Sequence, residues 1–179
     1  MLKYKLFLAF FILGLCTSFP VNSDKDKLEV VVKYDKFEDR TTIRLGNMFI
    51  AKSRQNILSL AFLAQYEGQQ PKKVEVVELF IYSATPKERF VEDHNLILLV
   101  DGLRLRLGKM ALFSKTTSDA DSLIGESLIL PIPFETVKQI SKGNTVEGKI
   151  GDKEFKLQES YLKLIREFVK HFESEQSAS

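Results

Sequence analysis

Apolar and polar side chains alternate at a spacing of two along much of this chain, and no other feature limits the fold as strongly. Leu103-Arg104-Leu105-Arg106-Leu107 alternates without a break. Neighbouring side chains of a strand point to opposite faces, so the three leucines share one face and the two arginines the other. Leu28, Val30, Val32 and Tyr34 repeat the pattern. Residues 41–50, 74–82, 96–100, 109–113 and 123–130 are rich in β-branched, aromatic and other apolar residues. Gly46-Asn47 predicts a bend inside the first of these. Residues 57–66 are apolar on both faces, which suits a strand buried on both sides; their length also permits a helix. Asp101-Gly102 lies between two alternating runs and signals a tight hairpin, as does Gly151-Asp152 between residues 145–150 and 154–157. Short strands with such turns predict a mostly β (α+β) fold, an antiparallel β-sandwich or partly open barrel.

The alternation gives way to helical spacing near the C-terminus. Pro133 opens residues 134–142 and Gly143 closes them, the order expected of a helix with Pro at its first position. Phe134, Val137 and Ile140 line one face. Tyr161, Ile165, Phe168 and Phe172 recur at helical spacing, with Lys163, Glu167 and Lys170 between them. The expected organisation is a single β-rich domain over residues 24–173 with two helices near its end. A polar, frayed tail follows at residues 174–179.

The N-terminus reads as an address. Lys3 and Lys5 precede an unbroken apolar run at residues 6–15, and small residues then lead to Asp24-Lys25-Asp26-Lys27. A helix over that run rises about 15 Å, half the roughly 30 Å hydrocarbon core, so it is too short to span a bilayer. The pattern predicts a secretory signal peptide over residues 1–23, with Val21 and Ser23 placing the cut before Asp24. Cys16 and Ser18 fit an earlier cut before Phe19. Leu13-Gly14-Leu15-Cys16 also resembles a bacterial lipoprotein box, which would make Cys16 a lipidated N-terminus. Leu15 departs from that box, which has a small residue before the Cys.

Loss of residues 1–23 removes Lys3 and Lys5, so the net charge of +2 becomes zero. A neutral domain gives no support for nucleic-acid binding through a basic surface. The lone cysteine forms neither an intramolecular disulfide nor a Cys-rich zinc site.

Several segments together resemble uncharacterised exported bacterial proteins. They are Tyr34-Asp35-Lys36-Phe37-Glu38-Asp39-Arg40-Thr41-Thr42, Leu99-Val100-Asp101-Gly102, Glu126-Ser127-Leu128, Ile132-Pro133-Phe134, Val146-Glu147-Gly148-Lys149-Ile150-Gly151, Glu154-Phe155-Lys156-Leu157 and Leu164-Ile165-Arg166-Glu167-Phe168. The resemblance implies export, a β-rich body and a helix–hairpin–helix ending. It implies no activity.

Few residues suit chemistry. Arg104 and Arg106 sit on one strand face about 7 Å apart, a spacing that suits a carboxylate or phosphate. The competing reading pairs them with acids on adjacent strands. His94, within Glu92-Asp93-His94-Asn95, is a candidate base or metal ligand, or a loop residue capping the next strand. His171, late in the last helix, reads as a favourable partner of the helix dipole. Phe90 and Val91 interrupt a polar loop at residues 83–95, as anchors to the core or as partner contacts. Asp35, Glu38 and Asp39 read as weak Ca²⁺ ligands or as a charged turn balanced by Lys36 and Arg40. Asp119-Ala120-Asp121-Ser122 is a second acidic stretch. Gly125-Glu126-Ser127 lacks the second glycine of a nucleophile elbow. Phosphate-loop and EF-hand patterns are absent from the sequence, and no cofactor is implied. The chain therefore reads as an exported, non-enzymatic binding or envelope-associated module for a protein or small-molecule ligand. The alternative is a hydrolase with a noncontiguous site built from His94 and nearby carboxylates.

Overall fold

A computed structural model describes residues 28–70, 72–91, 94–118 and 122–173. The expected signal peptide with Cys16, the acids Glu92, Asp93, Asp119 and Asp121, and the tail at 174–179 lie outside the described residues. Within them the alternating segments form β1 (Val30–Asp35), β2 (Arg40–Ser53), β3 (Asn56–Glu67), β4 (Val76–Thr85), β5 (Asn95–Val100), β6 (Leu103–Lys109), β7 (Ala111–Ser118) and β8 (Leu123–Pro133). Then come α1 (Phe134–Lys142), β9 (Val146–Ile150), β10 (Lys153–Lys156) and α2 (Glu159–Glu173). Residues 57–66 adopt the strand, not the helix.

The strands pair antiparallel throughout. Six form a large sheet in the order β1-β2-β3-β4-β8-β7, and four form a small sheet in the order β10-β9-β5-β6. The sheets stay separate and do not close into a barrel, so the sandwich-like form is the one adopted. A single residue, Met110, links β6 of the small sheet to β7 of the large one. It is 1% exposed, and its N–H donates to the His94 carbonyl at 3.0 Å. Gly108, at φ +106°, takes a conformation that L side chains rarely adopt. The register of β6 against β5 shifts beside it, and the chain changes sheets two residues later, at Met110.

One core joins the layers. Leu45 and Phe62, Leu60 and Ile81, and Ile81 and Leu128 are cross-strand partners on the inner face of the large sheet, and all are buried. Helix α2 lays Leu162, Ile165, Phe168, Val169 and Phe172 into the same core. Phe168 meets Phe62 at 6.0 Å between ring centroids, and Phe172 meets Tyr66 at 6.4 Å and Phe134 at 5.2 Å. Each such side chain contributes about 1.5–3 kcal/mol on burial, so the helix is held by its apolar stripe rather than by propensity. The small sheet adds Leu96, Leu98, Val100, Val146, Ile150 and Phe155.

The turns follow the expected chemistry, with two refinements. Asp101 (φ 49°) and Gly102 (φ 83°) both take positive φ, as a two-residue hairpin of type I′ requires. The bend expected at Gly46-Asn47 is a register shift between Leu45 and Met48. Pro133, however, is the last residue of β8 and the N-cap of α1 rather than its first helical residue. Gly143 ends α1 at φ −66°, outside the left-handed region. What demands glycine there is space, because a Cβ would lie 2.6 Å from Val100 Cγ1. Arg166 of α2 donates to the Ser141 and Gly143 carbonyls, each at 2.9 Å, and so satisfies the open end of α1.

Candidate functional site

The sequence-derived candidates separate into two places. Phe90 and His94 lie in the connection between β4 and β5, which carries the chain from the large sheet to the small one. Phe90 is only 5% exposed and belongs to the core, so it anchors its loop and presents no partner contact. His94 Nε2 shares a hydrogen bond with the Phe90 carbonyl at 2.5 Å, and the two rings meet edge-on at 6.2 Å. The described surroundings of His94 hold it as a brace of this loop.

The carboxylate that organises the loop is Glu126 on β8, 2% exposed. Its Oε2 accepts from the Arg89 N–H at 2.6 Å, and its Oε1 accepts from the Phe90 N–H at 3.3 Å. Arg89 then reaches back to β3, donating to the Asn56 side chain at 2.5 Å and the Ile57 carbonyl at 3.2 Å. Burial lowers the Arg89 pKa, and Glu126 and Asp152 oppose that effect. Lys115 and Glu88 close the outer side of the loop with an ion pair at 2.5 Å. Sequence reasoning passed over Glu126 as part of an incomplete nucleophile motif. Its signal was parity: positions 126, 128, 130 and 132 share one face of a strand whose Leu128 and Ile132 are core residues. Its cross-strand partner Ser83 is also fully buried, and among the described residues the Ser83 hydroxyl has no hydrogen-bond partner.

A shallow cleft of about 400 Å³ lies beside this loop, lined by Thr85–Arg89, Asp152 and Lys153. Two of its charges engage each other. Lys153 bonds Asp152 at 2.8 Å and holds that carboxyl below its ordinary pKa.

Arg104 and Arg106 lie elsewhere, on the outward face of β6. Cross-strand register fixes their rows. Arg104 faces Leu99, then Glu147 on β9 and Lys156 on β10. Arg106 faces Ile97, then Lys149 and Glu154. Both acids of that face among the described residues are taken: Lys156 pairs with Glu147 at 3.5 Å and Lys149 with Glu154 at 3.7 Å. Among the described residues, neither arginine has an ion-pair or hydrogen-bond partner for its side chain. The expected pairing with acids on adjacent strands is therefore not made. Lys109 pairs with Asn95 in register, which places it on the same outward face, in line with the arginines. Asp101 at the hairpin turn is the next acid along the chain. It accepts from the Thr145 N–H at 2.8 Å and the Asn144 N–H at 3.0 Å, and these bonds depress its pKa.

The Asp35–Arg40 cluster forms the charged turn. The Asp35 carboxylate accepts from the Phe37 and Glu38 N–H groups, and the Tyr34 hydroxyl donates to Asp39 at 2.8 Å. That last bond is the main cause of a raised Tyr34 pKa. No group of three or more His, Cys, Asp or Glu among the described residues is placed to hold a metal ion. No helix among them is long and apolar enough to cross a membrane. No family, curated protein or solved structure matches the chain.

Proposed function

We propose that this chain is an exported, non-enzymatic binding module whose ligand surface is the outward face of the small sheet. In this reading the domain is soluble in the periplasm or outside the cell, or is anchored there through Cys16. The observation that carries it is the contrast on that face: lysines occupy the acids, and Arg104 and Arg106 remain exposed without a partner among the described residues. Guanidinium is the better partner for a planar oxyanion, because its fork donates two parallel hydrogen bonds. Two such forks on one rigid strand suit a ligand bearing carboxylate or phosphate groups. The engagement of His94 with the Phe90 carbonyl favours binding over hydrolysis.

Amide NMR with increasing inorganic phosphate or citrate tests the surface. Saturable shifts are expected at residues 103–109, weakening as salt rises and absent from an Arg104→Ala, Arg106→Ala double variant. Shifts that persist in that variant would remove the site. The mass of the protein recovered from its cell envelope tests export, with Asp24 expected at the N-terminus, or a lipidated Cys16. A chain retaining residues 1–23 unmodified would refute it.

A further inference from the structure

We propose that β6 is a docking edge, to which an extended segment of a partner protein, with Asp or Glu at alternate positions, adds as a fifth strand of the small sheet. The inference rests on the reading of Arg104 and Arg106 as the ligand surface and names the kind of ligand. β6 is an end strand of its sheet, with β5 on one side only. The other side of its backbone presents N–H and C=O groups that no strand among the described residues receives.

The four sheet edges differ in charge. β10 carries Lys153, Glu154 and Lys156, mixed in sign and paired. β1 carries Lys33 and Asp35, and α2 packs beside it. The single charge of β7, Lys115, is neutralised by Glu88. β6 alone bears charges of one sign, Arg104, Arg106 and Lys109, without acidic partners among the described residues. Such an edge repels any strand with cations at the opposing positions, including another β6, and accepts one with acids there.

The geometry sets the sequence of the segment. In an antiparallel pair, directly opposed side chains stand about 4.5–5.5 Å apart and share a face. Acids two residues apart therefore meet Arg106 and Arg104 in turn. The residue between them points to the inward face, beside Leu105, which is partly buried. At the turn end of the hairpin Leu103 is 59% exposed. The fitting pattern is acidic–apolar–acidic, the complement of Arg104-Leu105-Arg106. Main-chain hydrogen bonds would supply affinity and the alternate side chains specificity.

The test uses the ¹⁵N-labelled protein and the peptide acetyl-Thr-Glu-Val-Glu-Val-Thr-amide. Three comparisons accompany it: the same peptide with Lys for Glu, the acidic peptide N-methylated along its backbone, and free glutamate. The acidic peptide is expected to shift residues 103–109 and to slow amide exchange at alternate β6 residues. The Lys and N-methylated peptides are expected not to bind. Arg104→Ala and Arg106→Ala should each weaken binding about two- to fivefold, the range of exposed ion pairs. The double variant Arg104→Glu, Arg106→Glu should prefer the Lys peptide. All these positions are exposed, so thermal unfolding of the variants should match the parent and confirms that they fold. If the N-methylated peptide or free glutamate binds as well as the acidic peptide, strand addition is wrong and the anion surface stands. If no acidic probe, inorganic phosphate included, perturbs residues 103–109, both readings fall.

Discussion

Replacing Glu126 with Gln keeps the volume of the side chain and removes its charge and one acceptor, so it isolates what the buried carboxylate does for the β4–β5 loop. The two oxygens serve different donors, the Arg89 N–H at 2.6 Å and the Phe90 N–H at 3.3 Å. The amide oxygen can keep the shorter bond. The NH₂ group then faces the Phe90 N–H, a donor against a donor, at a buried residue. An orphaned buried N–H costs about 1–3 kcal/mol, and the remaining bond loses its charge assistance, worth about 1 kcal/mol. The expected loss is about 2–4 kcal/mol. At a urea m-value of about 2 kcal/mol/M the unfolding midpoint should fall by about 1–2 M. Far-UV circular dichroism in urea measures the midpoint, and native-state hydrogen exchange at the Phe90 amide localises the effect. A loss below about 0.5 kcal/mol, or unchanged Phe90 protection, would show that the loop is held by packing alone.

Four further substitutions probe other joints. Ser83→Ala removes a buried hydroxyl with no partner among the described residues; stability in urea should hold or rise by up to about 1 kcal/mol, and a clear loss would mean that the hydroxyl is bonded. Gly148→Ala places a methyl group on the Phe155 ring; about 1–3 kcal/mol should be lost in urea unfolding, and a neutral result would contradict the close approach of ring and backbone. Arg166→Ala leaves the Ser141 and Gly143 carbonyls at the end of α1 without their donor, with an expected loss of about 1–3 kcal/mol that Arg166→Lys only partly restores. Asp101 has its pKa lowered by folding, so its contribution is present above the ordinary value of 3.8 and is lost as pH falls through the lower folded value. Melting temperatures of the parent and of Asp101→Asn should therefore differ by a constant amount from pH 5 to 8 and converge in stronger acid. A gap that widens in acid would reverse the assigned sign.

The strands were legible because parity is a local property. Leu103, Leu105 and Leu107 alternate with Arg104 and Arg106 after a two-residue turn at positive φ, so the hairpin and its inward face are readable locally, whereas residues 96–100, apolar on both faces, do not mark it. Partition into sheets was not legible, because it depends on pairings far apart in the chain, such as β5 with β9 and β4 with β8. The same distinction governs the site. That Arg104 and Arg106 share a face follows from spacing alone. That they are spared acidic partners depends on β10 bringing Lys156 to Glu147 and Glu154 to Lys149 two strands away. Phe90 and His94 read as candidates because they stood out in a polar loop. Their mutual packing and the reach of Glu126 across to them are tertiary facts with no local signature.

The single strand that turns at Met110 ties the order of folding to the order of synthesis. The large sheet takes strands one to four, then seven and eight, whereas the small sheet takes five and six, then nine and ten. Neither sheet is finished when the other begins. The inner faces of Phe62 and Tyr66 wait for Phe168 and Phe172, close to the last residue described. No single break in the chain separates the two sheets into different fragments, because their strands interleave along it. The molecule should therefore unfold as a unit, and a nascent chain should stay open until α2 is available. Before that point each half displays apolar surface that the other half is built to cover.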